Sequence, residues 1–191
     1  MKLHILAVLC AALTHQAKAQ DVHPYIKFES GFTKLLDGVG HGKFTNEERR
    51  KLINEVWQGS GKNYETSCFC ACVGALESNY YLPPPKSQEW IRYEKIRGFF
   101  GCHNSTLIAE VKRKKVGGSI RMWLAYFKRD PFVASRFSAY RFSFIVGVYG
   151  IEKGLRQWVC GESWKKNPKD LKRSSKYVRD CFWLKRKFFG Q

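Results

Sequence analysis

The stretch Cys68-Phe69-Cys70-Ala71-Cys72-Val73-Gly74-Ala75-Leu76-Glu77-Ser78 limits the fold more than any other part of the chain. Three cysteines at alternate positions run into small apolar residues, and the run ends on one carboxylate. On a helix, Cys70, Val73 or Gly74, and Glu77 share a face, because steps of three, four and seven return to one side. Cys68 and Cys72 then lie on another side. Ala71, Gly74 and Ala75 allow neighbours to approach closely, so a helix over about 64–80 is expected at the centre of the molecule. It must stop before Pro83-Pro84-Pro85, since proline cannot continue it.

The cysteines gain meaning from the start of the chain. Lys2 and His4 precede an apolar run from Ile5 to Leu13, and Ala17-Lys18-Ala19 supplies an A-x-A cleavage site. Residues 1–19 therefore read as a secretory signal peptide, too short to span a bilayer. The expected product is one secreted, extracellular domain over 20–191, with no transmembrane segment. Six cysteines remain after loss of Cys10: Cys68, Cys70, Cys72, Cys102, Cys160 and Cys181. An even number in an exported protein argues for disulfides, with fifteen connectivities open. Neighbours two apart are poorly placed to bridge each other. The simplest pairing sends each clustered cysteine to one of the three distant ones. A zinc site is disfavoured, for there is no C-x2-C pair and histidine is scarce. No metal or cofactor is expected.

Charge selects the class of partner. The net charge of +18 falls to +16 when Lys2 and Lys18 leave with the signal and no acid goes with them. Such a field attracts polyanions and anionic surfaces. Export argues against nucleic acid, leaving anionic or amino-sugar polysaccharides, bacterial envelopes, anionic membrane surfaces and acidic egg or matrix coats. Asn104-Ser105-Thr106 is an N-glycosylation sequon and would lie at the surface if used.

The pattern elsewhere is helical. Thr45-Asn46-Glu47-Glu48 forms a capping box ahead of Leu52, Ile53, Val56 and Trp57, and Gly59-Ser60-Gly61 ends that helix. A short helix is expected over about 87–97, stopped by Gly98-Phe99-Phe100-Gly101. Longer helices are expected from Ile108 to Phe127, broken or bent near Gly117-Gly118, and from Phe132 to Val159, with Gly147, Gly150 and Gly154 as candidate breaks. After the Asn167-Pro168 turn comes a basic helix over about 170–187. The fold class is mainly α: a single disulfide-braced helical domain.

Several chemistries can be set aside. His23, His41 and His103 form no metal-ligand spacing, and Gly161-Glu162-Ser163-Trp164 lacks the closing glycine of a nucleophile elbow. Cysteines committed to disulfides are not nucleophiles. Carboxylates remain. A carboxylate ending a packed helix is partly desolvated, which raises its pKa and suits a glycosidase acid. Glu77 is thus the candidate acid. Glu89, beyond the three prolines, is the candidate second carboxylate, with Tyr80, Tyr81 and Trp90 placed to stack on sugar rings. The competing reading makes Glu77 an ordinary helix-end residue and Glu89 a solvated acid.

Phe69-x-Ala71-x-Val73-Gly74-x-x-Glu77-Ser78 resembles the central catalytic helix of the lysozyme superfamily, where family 19 chitinases and lytic transglycosylases place their acid glutamate. The segment Val116 to Phe127 is similar to the aromatic helix of family 19 chitinases. Tyr149-Gly150-Ile151-Glu152-Lys153-Gly154-Leu155-Arg156 is similar to their glycine-rich segment ending in arginine. Cys160, Cys181 and Phe189-Gly190 resemble the C-terminal cysteines and Phe-Gly ending of the plant enzymes. The resemblance implies a lysozyme-like architecture, an acid at Glu77, and substrate contacts from Trp123, Arg156 and Asn104. Two departures stand out: Leu76 occupies the position of the family's histidine, and the RG-x-IQL-type segment appears only as Arg97 to Asn104.

Two functions are carried forward. One is a chitinase- or lysozyme-like glycoside hydrolase, or its inactive relative, acting on a glycan. The other is a non-enzymatic cationic helical protein that binds anionic membranes or glycan coats, a character shared by defence proteins, venom components and sperm lysins. Cys181-Phe182-Trp183-Leu184-Lys185-Arg186-Lys187-Phe188-Phe189 suits the second, with aromatics for an interface and cations for anionic groups. A helical-cytokine-type signalling factor has no motif in its favour.

Overall fold

The computed structural model describes residues 22–39, 44–81 and 96–190. The expected signal peptide, Glu89, Trp90 and most of the helix expected over 87–97 lie outside these residues. The mainly α fold is observed. Among the described residues eight α-helices follow in order: α1 (Pro24–Val39), α2 (Asn46–Gly59), α3 (Tyr64–Ser78), α4 (Asn104–Arg113), α5 (Ile120–Arg129), α6 (Pro131–Tyr149), α7 (Ile151–Cys160) and α8 (Pro168–Phe189). A 3-10 turn, Gly161–Lys165, joins the last two. The remaining element is a two-residue antiparallel ladder, β1 (Ile96–Arg97) with β2 (Cys102–His103). Residues 96–97 are therefore strand, where a helix was expected. They pair across Gly98 and Gly101, both at positive φ.

α3 is the axis. Every residue from Ser67 to Ala75 is buried, as expected of a helix apolar on all sides. It packs against α1, α2, α6 and α8. Asn63 caps its start by accepting from the Thr66 amide at 2.9 Å. Its end is unusual: Asn79 and Tyr80 both adopt left-handed φ, 50° and 55°. That pair folds the chain back beneath the helix, so the Tyr80 ring fills the space Gly74 leaves. A Cβ on Gly74 would lie 2.5 Å from the Tyr80 hydroxyl. The same hydroxyl donates to the Ala71 carbonyl at 2.6 Å.

The other elements follow their local signals. Thr45 and Glu48 form the reciprocal capping box. Asp130 caps α6, its Oδ1 accepting from the Phe132 and Val133 amides. Gly150, at φ 75° and ψ 170°, separates α6 from α7, a conformation almost confined to glycine. α1 has no counterpart in the sequence reading, although Phe28, Phe32, Leu35 and Leu36 recur at helical spacing and are buried.

α3 and α8 run antiparallel in a register fixed at three points. The Tyr64 hydroxyl donates to the Phe189 carbonyl at 3.1 Å, the Phe69 and Phe182 rings lie 4.8 Å apart, and the Tyr177 hydroxyl donates to Glu77 at 2.8 Å. This register corrects the expected disulfide brace. Cys68, Cys70, Cys72, Cys102, Cys160 and Cys181 are all free thiols. Cys68 feels the Lys185 charge near the end of α8, whereas Cys160 contacts the Asp170 carbonyl at its start, 3.7 Å away. The two ends are separated by about 22 Å of helix, while a bridge needs Cα atoms within about 7 Å. A bridge between Cys68 and Cys160 is therefore not available, and the structure holds no disulfide at the other cysteines. Apolar packing holds the described helices: one buried cluster draws residues from all eight.

Candidate functional site

Glu77 stands at the C-terminal end of α3, where the buried run gives way to solvent. Its residue surface is exposed, yet its carboxyl is hemmed in by Tyr177 from α8 and Trp158 from α7. The Tyr177 hydroxyl donates to its Oε1 at 2.8 Å, and Trp158 lines the same cavity. The two descriptions agree once the local shape is considered: the side chain opens into a cavity while protein atoms crowd the carboxyl. That crowding pushes the Glu77 carboxyl above its ordinary 4.5, against the opposing pull of Tyr177, Trp158 and Arg173.

The cavity holds about 250 Å3 and is lined by Glu77, Phe100, Cys102, His103, Thr106, Arg141, Ile145, Gln157, Trp158 and Arg173 among others. Two of these carry weight. The Oε1 of Gln157 is buried and accepts no hydrogen bond among the described residues. A buried acceptor without a donor calls for a ligand or a water. Arg173 makes no ion pair among the described residues, and it lines a second depression of about 550 Å3 with Lys169, Lys172, Ser175, Lys176 and Arg179. These cations recur three or four apart along one exposed face of α8, so a charged path leads from the helix surface into the Glu77 cavity.

The expected contact residues fall elsewhere. Tyr80 is 1% exposed and locked beneath α3. Tyr81 is 41% exposed but does not line the cavity. Trp123 is buried, its indole donating to the Gly117 carbonyl at 2.9 Å. Arg156 is held by Glu152, Ser174 and Ser175 and lies over the Trp164 ring. Asn104 begins α4, half-buried, with its sequon partner Ser105 exposed. Neither Trp123, Arg156 nor Asn104 lines the Glu77 cavity. No carboxylate besides Glu77 does so among the described residues. Trp158, Tyr177, Arg141 and Arg173 were missed in the sequence because they come from three separate helices. Only Arg173, within a conspicuously basic segment, carried any local signal.

A second carboxylate pair was also missed. Glu55 on α2 is 6% exposed and Asp130 caps α6, and both face a cavity of about 400 Å3 with Trp123, Tyr126 and Tyr140. Each already has a cation. Arg136 pairs with Glu55, donating to Oε1 at 3.0 Å, and Lys51 meets Asp130 at 2.7 Å. Burial pushes the Glu55 carboxyl up, with Arg136 opposing. These pairs clamp α2 onto α6 rather than leaving a carboxylate open to a ligand. The sequence signal was a glutamate on the apolar side of α2, beside Leu52 and Val56.

No group of three or more candidate metal ligands occurs among the described residues. Compared with protein-family models, curated proteins and solved structures, the chain matches none.

Proposed function

We propose that this chain is a secreted, strongly basic glycan-directed protein. The Glu77 cavity seats one sugar unit, and the cationic face of α8 holds the acidic remainder of the polysaccharide. The observation that carries the reading is the junction at Arg173, which belongs both to the cavity and to the charged face. Glu77 and Gln157 offer acceptors for hydroxyl or amide donors of an amino sugar, and the Trp158 side chain forms part of the wall. Lysozyme-like architecture stays part of this proposal, resting on a central helix that ends on a desolvated carboxylate.

Binding rather than hydrolysis is the activity favoured by the geometry. Hydrolysis by paired carboxylates needs a second carboxyl across the sugar, at about 5–10 Å depending on stereochemistry. Among the described residues the cavity lining supplies one. The test titrates the full chain with chitin oligomers, peptidoglycan fragments and sulfated glycosaminoglycan fragments, and measures turnover alongside. Saturable binding, weakened about tenfold or more by Glu77→Gln and by Arg173→Glu, is expected. Binding unchanged in both variants ends this reading. Turnover abolished by Glu77→Gln and by Glu89→Gln would make the protein a hydrolase instead.

One observation favours an anionic membrane as a second target. Phe182 and Trp183 are exposed on α8, and the Lys187 ammonium lies 4.7 Å from the Trp183 ring. Leakage from anionic vesicles that is lost in Trp183→Ala and kept in Glu77→Gln would identify that activity.

A further inference from the structure

We infer that the cleft between α1 and the end of α8 is a docking site for anionic phospholipid at a membrane surface. The inference rests on the membrane reading given above and not on the glycan one. The cleft holds about 670 Å3. Its walls carry Lys27 and Lys34 from α1 and Arg186 and Lys187 from α8, and no carboxylate among the described residues. All four cations are exposed, and none makes an ion pair among the described residues. Unneutralised cations gathered round one depression attract a phosphate group and its negative charge.

Close packing of the two helices brings these charges together. A Cβ on Gly31 would overlap the Phe189 ring, and one on Gly38 would lie 2.6 Å from the Phe188 ring. Glycine at both positions therefore lets the last turn of α8 seat against α1, with its two cations beside Lys27 and Lys34. Charge alone suits any polyanion, and the apolar rim selects a membrane. Val22 and Ile26 line the same cleft yet are more than half exposed, as is Trp183. The Lys187 ammonium links the two features, 5.1 Å from the Phe188 ring and 4.7 Å from that of Trp183. Exposed aliphatic side chains gain little from a hydrated anionic chain. At a bilayer surface they enter the boundary between head groups and acyl chains while the cations meet the phosphates. An indole suits that boundary, with an apolar body and one polar N–H.

The experiment measures sedimentation of the full chain with phosphatidylcholine vesicles that contain or lack phosphatidylglycerol, and maps contacts with a nitroxide-labelled lipid. Binding only to the phosphatidylglycerol vesicles is expected, with the backbone signals of residues 22–34 and 183–190 broadened. A cation near an anionic surface is worth about fivefold in affinity, so Lys34→Glu with Arg186→Glu should weaken binding by about twentyfold or more. Ile26→Ser should weaken it several-fold. Lys112→Glu with Lys115→Glu, the same change in net charge away from the cleft, should weaken it far less. Equal losses in the two charge-reversed pairs, or broadening that spares residues 22–34, would overturn the site. So would free glycerol phosphate bound as tightly as vesicles, which marks a site for a soluble anion. Binding kept in the cleft variants and lost in Trp183→Ala would overturn the cleft and leave the membrane reading standing. Absence of binding to either vesicle would end both. The wild-type label map decides the location even if a variant fails to fold.

Discussion

Gly74 and Tyr80 show how single residues set the end of the central helix. The Tyr80 ring occupies the volume a side chain at 74 would need, and its hydroxyl holds the Ala71 carbonyl. Gly74→Ala should therefore cost about 1–3 kcal/mol through overpacking, and Tyr80→Phe about 1 kcal/mol through the lost hydrogen bond. Urea unfolding of both variants and their combination should show a cost below the sum, since Tyr80→Phe removes the nearest of the three Tyr80 atoms the new methyl meets. Glu77 supplies a pH signature. Its folded-state pKa is raised above 4.5, chiefly by desolvation, so the folded chain binds the proton more tightly than the unfolded one. Stability then falls as pH rises from the ordinary carboxylate range through the folded value. Glu77→Gln should remove that fall, gaining on the wild type at pH 7 but not at pH 4 in denaturant titrations.

At the scale of elements, the contacts between helices make a second set of predictions. The Arg136–Glu55 pair fastens α2 to α6. Arg136→Met should strand a buried carboxylate at a cost of about 3–5 kcal/mol, and adding Glu55→Gln should recover part of it. Gly150→Ala should cost about 1–3 kcal/mol, because its φ of 75° with ψ of 170° suits only glycine. Gly117 meets nothing within 4 Å, so Gly117→Ala should stay within about 1 kcal/mol of wild type. Thermal and urea unfolding read all of these. Several elements were legible in the sequence for the same local reasons. The Thr45–Glu48 box, the Gly117-Gly118 break, the Asn167-Pro168 turn and the buried face of α3 are written in neighbouring residues. The Glu77 cavity was not. Its walls come from α4, α6, α7 and α8, and nothing local tells Trp158 or Tyr177 that they will meet residue 77. The cysteines misled for a related reason: an even count suggests bridges, whereas pairing depends on the register between α3 and α8.

On the scale of the whole molecule, the proposed function assigns the approach of a ligand to the excess of cations and its settling to the Arg173 junction. No described helix is long and apolar enough to cross a membrane. Capture of an acidic polysaccharide by the exposed face of α8 should weaken steeply with salt, as screening shortens the reach of its charges. Lys172→Glu with Lys176→Glu should flatten that dependence, measured as affinity against ionic strength, while leaving the thermal transition within a few degrees of wild type. The central claim joins the charged face to the cavity, and one spectrum tests the junction. Trp158 lines the cavity together with Glu77, so its indole nitrogen–proton resonance reports occupancy. Titration with an acidic amino-sugar oligosaccharide should shift the Trp158 indole signal together with the backbone signals of residues 169–179, both saturating at one ligand concentration. Shifts confined to the α8 backbone, with the Trp158 indole unmoved at saturation, would contradict the account.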